Sequence, residues 1–290
     1  MAFSAFFFAA MAAVAKLLGK RISAQEVILV RGVLNVAFML WWLKRKELSW
    51  RGKRPWLLVL RGIFGYTALS CYFWSVSRQP LATAILLQQV HPVFTAVLAI
   101  WFLKEKPGSR FLPAFGFAAL GVWLVASHQA ATASVPGASG ADLAPLLVGL
   151  LGAVLSASAY VAVRHASRTE HEETIILWFP LTSVPLAAAG TLVAGPVWPT
   201  PVEWLWLFLV AGAGQVGQLF LTRGLARVPA GRATLANPLT IAFGALLGWV
   251  MFQEPMGWRE AAGGAAIVAA VLLAGSGTKA PEPAADPLQS

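Results

Sequence analysis

Charge is the scarcest property of this sequence. Only 12% of its 290 residues are Asp, Glu, Lys or Arg, and 58% are hydrophobic, whereas a soluble domain carries about a quarter charged residues. Such a chain could not cover its own core in water. Cysteine is nearly missing: Cys71 stands alone, which excludes an intramolecular disulfide and a thiolate metal cluster and leaves a small packing residue. Carboxylates are absent from the middle of every long apolar run, and the four histidines, His91, His128, His165 and His171, are scattered. Paired aspartates, a nucleophile with its base, or a metal cluster cannot be assembled from that set, so no catalytic residue, cofactor or metal is expected. The N-terminus lacks a basic lead and a convincing small-residue cleavage site, so its first apolar segment reads as a membrane helix and not a cleaved signal peptide.

What is present is a series of ten apolar segments, at about 3–19, 26–43, 56–76, 80–103, 109–127, 144–163, 173–194, 203–223, 229–252 and 258–275. Each has the roughly 17–25 residues that cross a bilayer as an α-helix, and none alternates as barrel strands do. The expected class is an all-α polytopic membrane protein with ten transmembrane helices. The net charge of +10 does not point to nucleic acid, because the basic residues sit in short loops between spans. With the N-terminus inside, sixteen of the 22 Lys and Arg fall on the inner side and six outside. That bias places both termini in the cytoplasm, in a bacterial inner membrane.

Between the fifth and sixth spans, "HQAATASVPGASGAD" carries no basic residue and reads as an outer linker. Sliding the second half over the first by 149 residues aligns Arg78 with Arg227, Pro80 with Pro229, Phe94 with Phe243, Glu105 with Glu254 and Arg110 with Arg259, with thirteen identities in fifty gapless positions. The chain therefore reads as a first repeat at 1–128, a linker at 129–142, a second repeat at 143–277 and a disordered cytoplasmic tail at 278–290. Five spans per repeat invert the second copy relative to the first, about a pseudo-two-fold axis in the membrane plane. Such a duplication suits alternating access.

"RGVLNVAFML" with its following basic loop, "LRGIFGY", "PLATA", "HPVFTAVLAIWFLKEKP" and a second copy ending "GALLGWVMFQEP" together resemble the drug/metabolite transporter superfamily in its ten-helix EamA-type branch, over about 1–277. The resemblance implies two inverted five-helix repeats around a central cavity and, for many members, export of amino acids or related metabolites. Arg31 and Arg61 match arginines common in that family, in a structural role or in contact with substrate. The central carboxylate of the related four-helix multidrug exporters has no counterpart here.

Helical phasing puts Gln88, His91, Pro92 and Thr95 on one face, with Gln89 off it and directed to a neighbouring helix. Similar polar faces join Thr67, Ser70, Trp74 and Ser77; Ser156 and Tyr160; Gln215 and Gln218; and Asn237 with Pro238. The repeat superimposes Gln88 on Asn237, so two carboxamides can face each other across a central site. Pro92 and Pro238 each leave a carbonyl without its helical N–H and mark two kinks. Expected substrate contacts are Gln88, His91, Asn237, Trp74, Tyr160, Gln215 and Gln218. Each could instead serve as interhelical glue worth about 1 kcal/mol. Glu105 and Glu254 are expected to cap the helices that follow them, Glu26 to complete a capping box with Ser23, and Lys16, Arg31 and Arg61 to snorkel from near the span ends.

The function these features suggest is secondary transport of small amphipathic metabolites, neutral or aromatic amino acids foremost, by a monomer whose only partners are its substrate and the bilayer. Nucleosides, S-adenosylmethionine or drugs are alternative cargo. An intramembrane enzyme or scaffold is the alternative from another class.

Overall fold

A computed structural model of the chain describes residues 2–19, 21–102, 110–133, 143–166, 169–227, 237–254 and 256–276. All regular structure among them is helical: α1 Ala2–Leu17, α2 Ala24–Arg45, α3 Pro55–Val76, α4 Leu81–Gln88, α5 His91–Phe102, α6 Phe111–Ala133, α7 Ala144–Ala166, α8 Glu172–Ala194, α9 Pro201–Arg227, α10 Asn237–Phe252 and α11 Trp258–Ser276. Five stretches, in α2, α3, α4–α5, α7 and α8, are long and apolar enough by themselves to cross a bilayer. The outer surface is apolar, with Trp101, Leu112 and Trp249 well exposed, as lipid contact requires.

Three helices begin on a glutamate that reaches back to a free amide. Ser23 and Glu26 form the expected capping box, the Ser23 N–H donating to Glu26 Oε2 at 2.8 Å. Thr200 with Glu203 repeats the device at α9, and Glu260 accepts from the Gly257 N–H at α11. Each carboxylate sits where the unpaired amides and the helix dipole favour negative charge.

The 149-residue repeat is visible in the helix ends. Leu17 and Ala166 close α1 and α7, and Arg45 and Ala194 close α2 and α8; both pairs are 149 residues apart. The packing obeys the same exchange. α2 packs on its counterpart α8 and α6 on its counterpart α11, while α3–α7 is mirrored by α9–α1 and α3–α8 by α9–α2. The contact of α1 with α10 returns as that of α7 with α4 and α5. The fold is two inverted five-helix repeats, the fourth span of the first being α4 plus α5.

Small residues let the paired helices approach. A Cβ on Gly121 would lie 2.7 Å from the Gly263 carbonyl, so α6 and α11 cross backbone to backbone. On α8, Thr182 fills the space beside Gly62 of α3 and Val184 that beside Gly32 of α2. The main core spans both repeats, with Ile28, Phe73, Leu86, Leu87, Leu207 and Ile267 all buried.

Both ends of the bundle are tied across the repeats. At one, Lys16 Nζ pairs with Glu254 Oε1 at 2.5 Å and donates to the Gln79 carbonyl at 2.8 Å, and Thr83 donates to Glu260 at 2.7 Å. At the other, Lys46 pairs with Glu173 at 2.6 Å, and Glu170 accepts from the Lys53 and Arg54 amides.

Three expectations need correction here. Lys16 does not snorkel: its side chain is only 13% exposed and its charge is met by Glu254. Glu254 does cap a helix, but in the other repeat, accepting from the Leu81 N–H that opens α4 at 2.9 Å. The following helix has its own cap in Glu260. Of the linker expected at 129–142, residues 129–133 belong to α6, while Glu105, residues 134–142 and the tail at 278–290 lie outside the described residues.

Candidate functional site

The fourth span breaks where its polar residues cluster. α4 ends at Gln88, Gln89 and Val90 form a turn, and α5 opens at His91 with Pro92 as its second residue. In that first turn the missing N–H of Pro92 costs little, since the amides there have no helical acceptor in any case. The Gln88 carbonyl, left without a helical donor, accepts instead from His91 Nδ1 at 2.8 Å. Because a carbonyl can only accept, this contact puts the proton on Nδ1. His91 then stacks on Tyr160 of α7, ring centroids 4.9 Å apart, and Gln88 Nε2 donates to Ser156 of α7 at 2.7 Å. Among the described residues Gln88 Oε1 is buried without a partner, and so is Oε1 of Gln89, which was expected to bond a neighbouring helix.

A second polar group lies between the repeats. From the first come Arg31, Asn35 and Met39 of α2 and Arg61 of α3; from the second come Ile176, Phe179 and Pro180 of α8 and Gln215 and Gln218 of α9. Together they line a narrow cleft. Both guanidinium groups pack over the Phe179 ring, Arg61 at 4.5 Å and Arg31 at 5.9 Å from its centroid, and each is close enough to repel the other. Tyr160 lies within electrostatic reach of Arg61, which links this cleft to the broken span.

The arginines correct the sequence expectation most sharply. Snorkelling would send the charges to the headgroups, yet Arg31 is only 7% exposed, and Arg31 Nε with Arg61 Nε and Nη1 are buried and unpartnered among the described residues. Two turns of helix separate Arg31 from the start of α2 and nearly two separate Arg61 from the start of α3, too deep for an inward-turned side chain to reach water. Glycines make the room. A Cβ on Gly214 would come within 2.9 Å of Arg31 Nε, and one on Gly65 within 2.9 Å of the Phe179 ring and 3.2 Å of Arg61 Nη1.

Gln215 is buried and donates Nε2 to Met39 Sδ at 3.5 Å, and Gln218 joins it at the cleft. Trp74 is elsewhere: its ring carries Arg78 at 4.2 Å near the end of α3 and is not part of the cleft lining. The hydroxyls of Thr67, Ser70 and Ser77 bond carbonyls of their own helix, which spends that polar stripe locally. Asn237 and Pro238 open α10; their side chains lie outside the described residues.

Asn35, Phe179, Pro180 and Ser156 were not singled out as site residues from sequence for binding, except that Ser156 shared a face with Tyr160. Two signals were there to be read: Asn35 lies one turn beyond Arg31 on α2, and α8 contains Pro180 and Pro185. Pro180 frees the carbonyl of Ile176, which borders the same cleft.

Known proteins are similar to this chain. A pseudopaline exporter of Pseudomonas aeruginosa is 28% identical over 93% of this chain and 92% of its own. An uncharacterized transporter of Helicobacter pylori is 27% identical over 74% of this chain and 72% of its own, and mouse solute carrier family 35 member G1 is 26% identical over 75% and 61% respectively. A crystal structure 21% identical superimposes with a TM-score of 0.65, covering 94% of both chains, which shows a shared fold. The EamA-like transporter family matches residues 1–127 and 143–276. A duplicated bundle of helices, inverted within the membrane and with a polar cleft between its copies, thus belongs to the EamA-like transporter family and is a membrane transporter.

Proposed function

We propose that the protein is a secondary transporter that moves small amphipathic metabolites, amino acids foremost, out across a bacterial inner membrane by alternating access, with both termini in the cytoplasm. One observation carries this reading: the polar cleft is built half by each repeat, with Arg31, Asn35 and Arg61 on one side and Phe179, Gln215 and Gln218 on the other. A rocking of one inverted repeat against the other would open such a cleft first to one face of the membrane and then to the other. In this conformation the cleft suits about one water molecule, and both ends are tied, so a metabolite gains access only when the repeats part. The broken fourth span supplies a bonded but adjustable hinge beside it.

The cleft favours an amphipathic acid. Phe179 offers a face, the amides of Asn35 and Gln215 offer donors and acceptors, and the two guanidinium groups repel a cationic drug. Relatives named as exporters support the outward direction. Counterflow in proteoliposomes tests the reading: saturable exchange of labelled amino acids is expected, reduced in Gln88→Ala and Asn237→Ala. Absence of saturable exchange across the amino acids and related metabolites would defeat it.

A further inference from the structure

We propose that the Arg31–Arg61 pair is a substrate anion site, and that the cargo carries two carboxylates in place of the single one of a neutral amino acid. This names the cargo of the transport site proposed above and rests on that reading. The argument starts from charge balance. Most described carboxylates are already engaged: Glu26 by the Val197 and Ser23 amides, Glu254 by Lys16, Glu260 by Thr83, Glu173 by Lys46, Glu203 by Arg21 and Glu170 by the Lys53 and Arg54 amides, while Glu47 and Glu172 stand exposed at helix ends. Among the described residues none of them pairs with Arg31 or Arg61, whose neighbours include the ring of Phe179, each other and, for Arg61, Tyr160.

Two neighbouring cations withdrawn from water are costly unless an anion joins them. The two side chains that carry these unpartnered Nε and Nη1 donors line the cleft. Guanidinium forks bind carboxylates through paired, in-plane N–H donors, and two forks call for two carboxylates. One carboxylate would leave a second cation unbalanced, and a neutral zwitterion brings no net negative charge to the pair. Asn35 and Gln215 complete the cleft with neutral groups suited to an amine or hydroxyl set away from the acids. Phe179 holds both cations over its ring, Arg61 at 4.5 Å and Arg31 at 5.9 Å from the centroid.

The test is binding to the full chain in nanodiscs, by calorimetry or thermal shift, with succinate, L-glutamate, L-phenylalanine and inorganic phosphate as probes. Succinate and glutamate are expected to bind at least tenfold more tightly than phenylalanine. Arg31→Gln and Arg61→Gln should each lose at least tenfold for the dicarboxylates, and Arg61→Lys, which keeps the charge but not the fork, should recover only part of that. Phenylalanine binding as tightly as succinate to the unaltered protein would overturn the proposal, as would phosphate binding more tightly than either dicarboxylate, or no binding of succinate or glutamate at all. None of these depends on a variant folding. Flux separates the two readings: dicarboxylate binding without counterflow keeps the anion site and defeats transport, whereas counterflow of phenylalanine without dicarboxylate binding does the reverse.

Discussion

The ion pair between Lys16 and Glu254 invites a double-mutant cycle, because it joins the first helix of one repeat to the fourth span of the other. Lys16 Nζ lies 2.5 Å from Glu254 Oε1, with the side chains 13% and 27% exposed. Exposed ion pairs are worth under about 1 kcal/mol, whereas removing one partner of a buried pair costs about 3–5 kcal/mol. This pair is mostly buried, and Lys16 retains the Gln79 carbonyl if Glu254 is lost, so a coupling of about 2 kcal/mol is expected, or about thirtyfold in an unfolding equilibrium. Glu254→Gln is the cleaner partner change, since its amide oxygen can still accept from the Leu81 N–H. Lys16→Met keeps an unbranched apolar stem and removes the cation, which also lies 5.1 Å from the Phe252 ring centroid. The four proteins would be compared by steric-trap unfolding in micelles. Single changes should each destabilise by about 2–3 kcal/mol, and the double change by clearly less than their sum. Additive effects, within about 0.5 kcal/mol, would show that the two ends meet without holding, and would refute the latch.

Gly214→Ala should push Arg31 aside and weaken dicarboxylate binding about tenfold, since even a methyl group there meets Arg31 Nε and Met11 Sδ at 2.9 Å; Gly212→Ala on the same helix, where a Cβ meets nothing within 4 Å, is the control, and equal binding in the two would count against the geometry. Gln253 has φ +54° where α10 turns off toward Glu254, a conformation glycine adopts at less cost, so Gln253→Gly should stabilise by about 0.5–1 kcal/mol in thermal unfolding, and a loss of stability would refute this. Gly62→Val should destabilise by about 1–3 kcal/mol, because Thr182 already stands 2.5 Å from the Cβ position, and wild-type stability in the same unfolding assay would mean that α3 and α8 separate freely.

Much of the fold was legible before any coordinates. Length and apolarity place ten spans, because a lipid-facing helix has few other solutions, and the gapless match at an offset of 149 residues implies the exchange that the helix pairs display. The capping box at Ser23 and Glu26 is local chemistry and so is readable locally. The break in the fourth span was visible as Pro92, although its position at Gln89 and Val90 depends on His91 taking over the Gln88 carbonyl, which periodicity does not encode. The partner of Glu254 could not be read, since it comes from a helix 173 residues away.

The site's charge escaped for a different reason. Searching for equivalent positions in the two repeats finds Gln88 and Asn237, but the residues of the cleft have no chemical counterparts. At the same offset Arg31 falls on Pro180, Arg61 on Val210, Asn35 on Val184 and Gln215 on Tyr66. Duplication preserves what both copies need, helix lengths and small residues at crossings, as the proposed rocking would demand of each state. A bound metabolite has no two-fold axis and makes no such demand. Both cations therefore stand on α2 and α3 of the first repeat, while the ring and amides that complete the cleft stand on α8 and α9 of the second. Under the proposed alternating access the arginines would move together as one unit and stay with the proposed anionic cargo, while the second repeat slides past them. On that proposal selectivity would reside in the repeat that carries the charge, and the reopening of the cleft in the one that carries Phe179, Pro180 and Gln215.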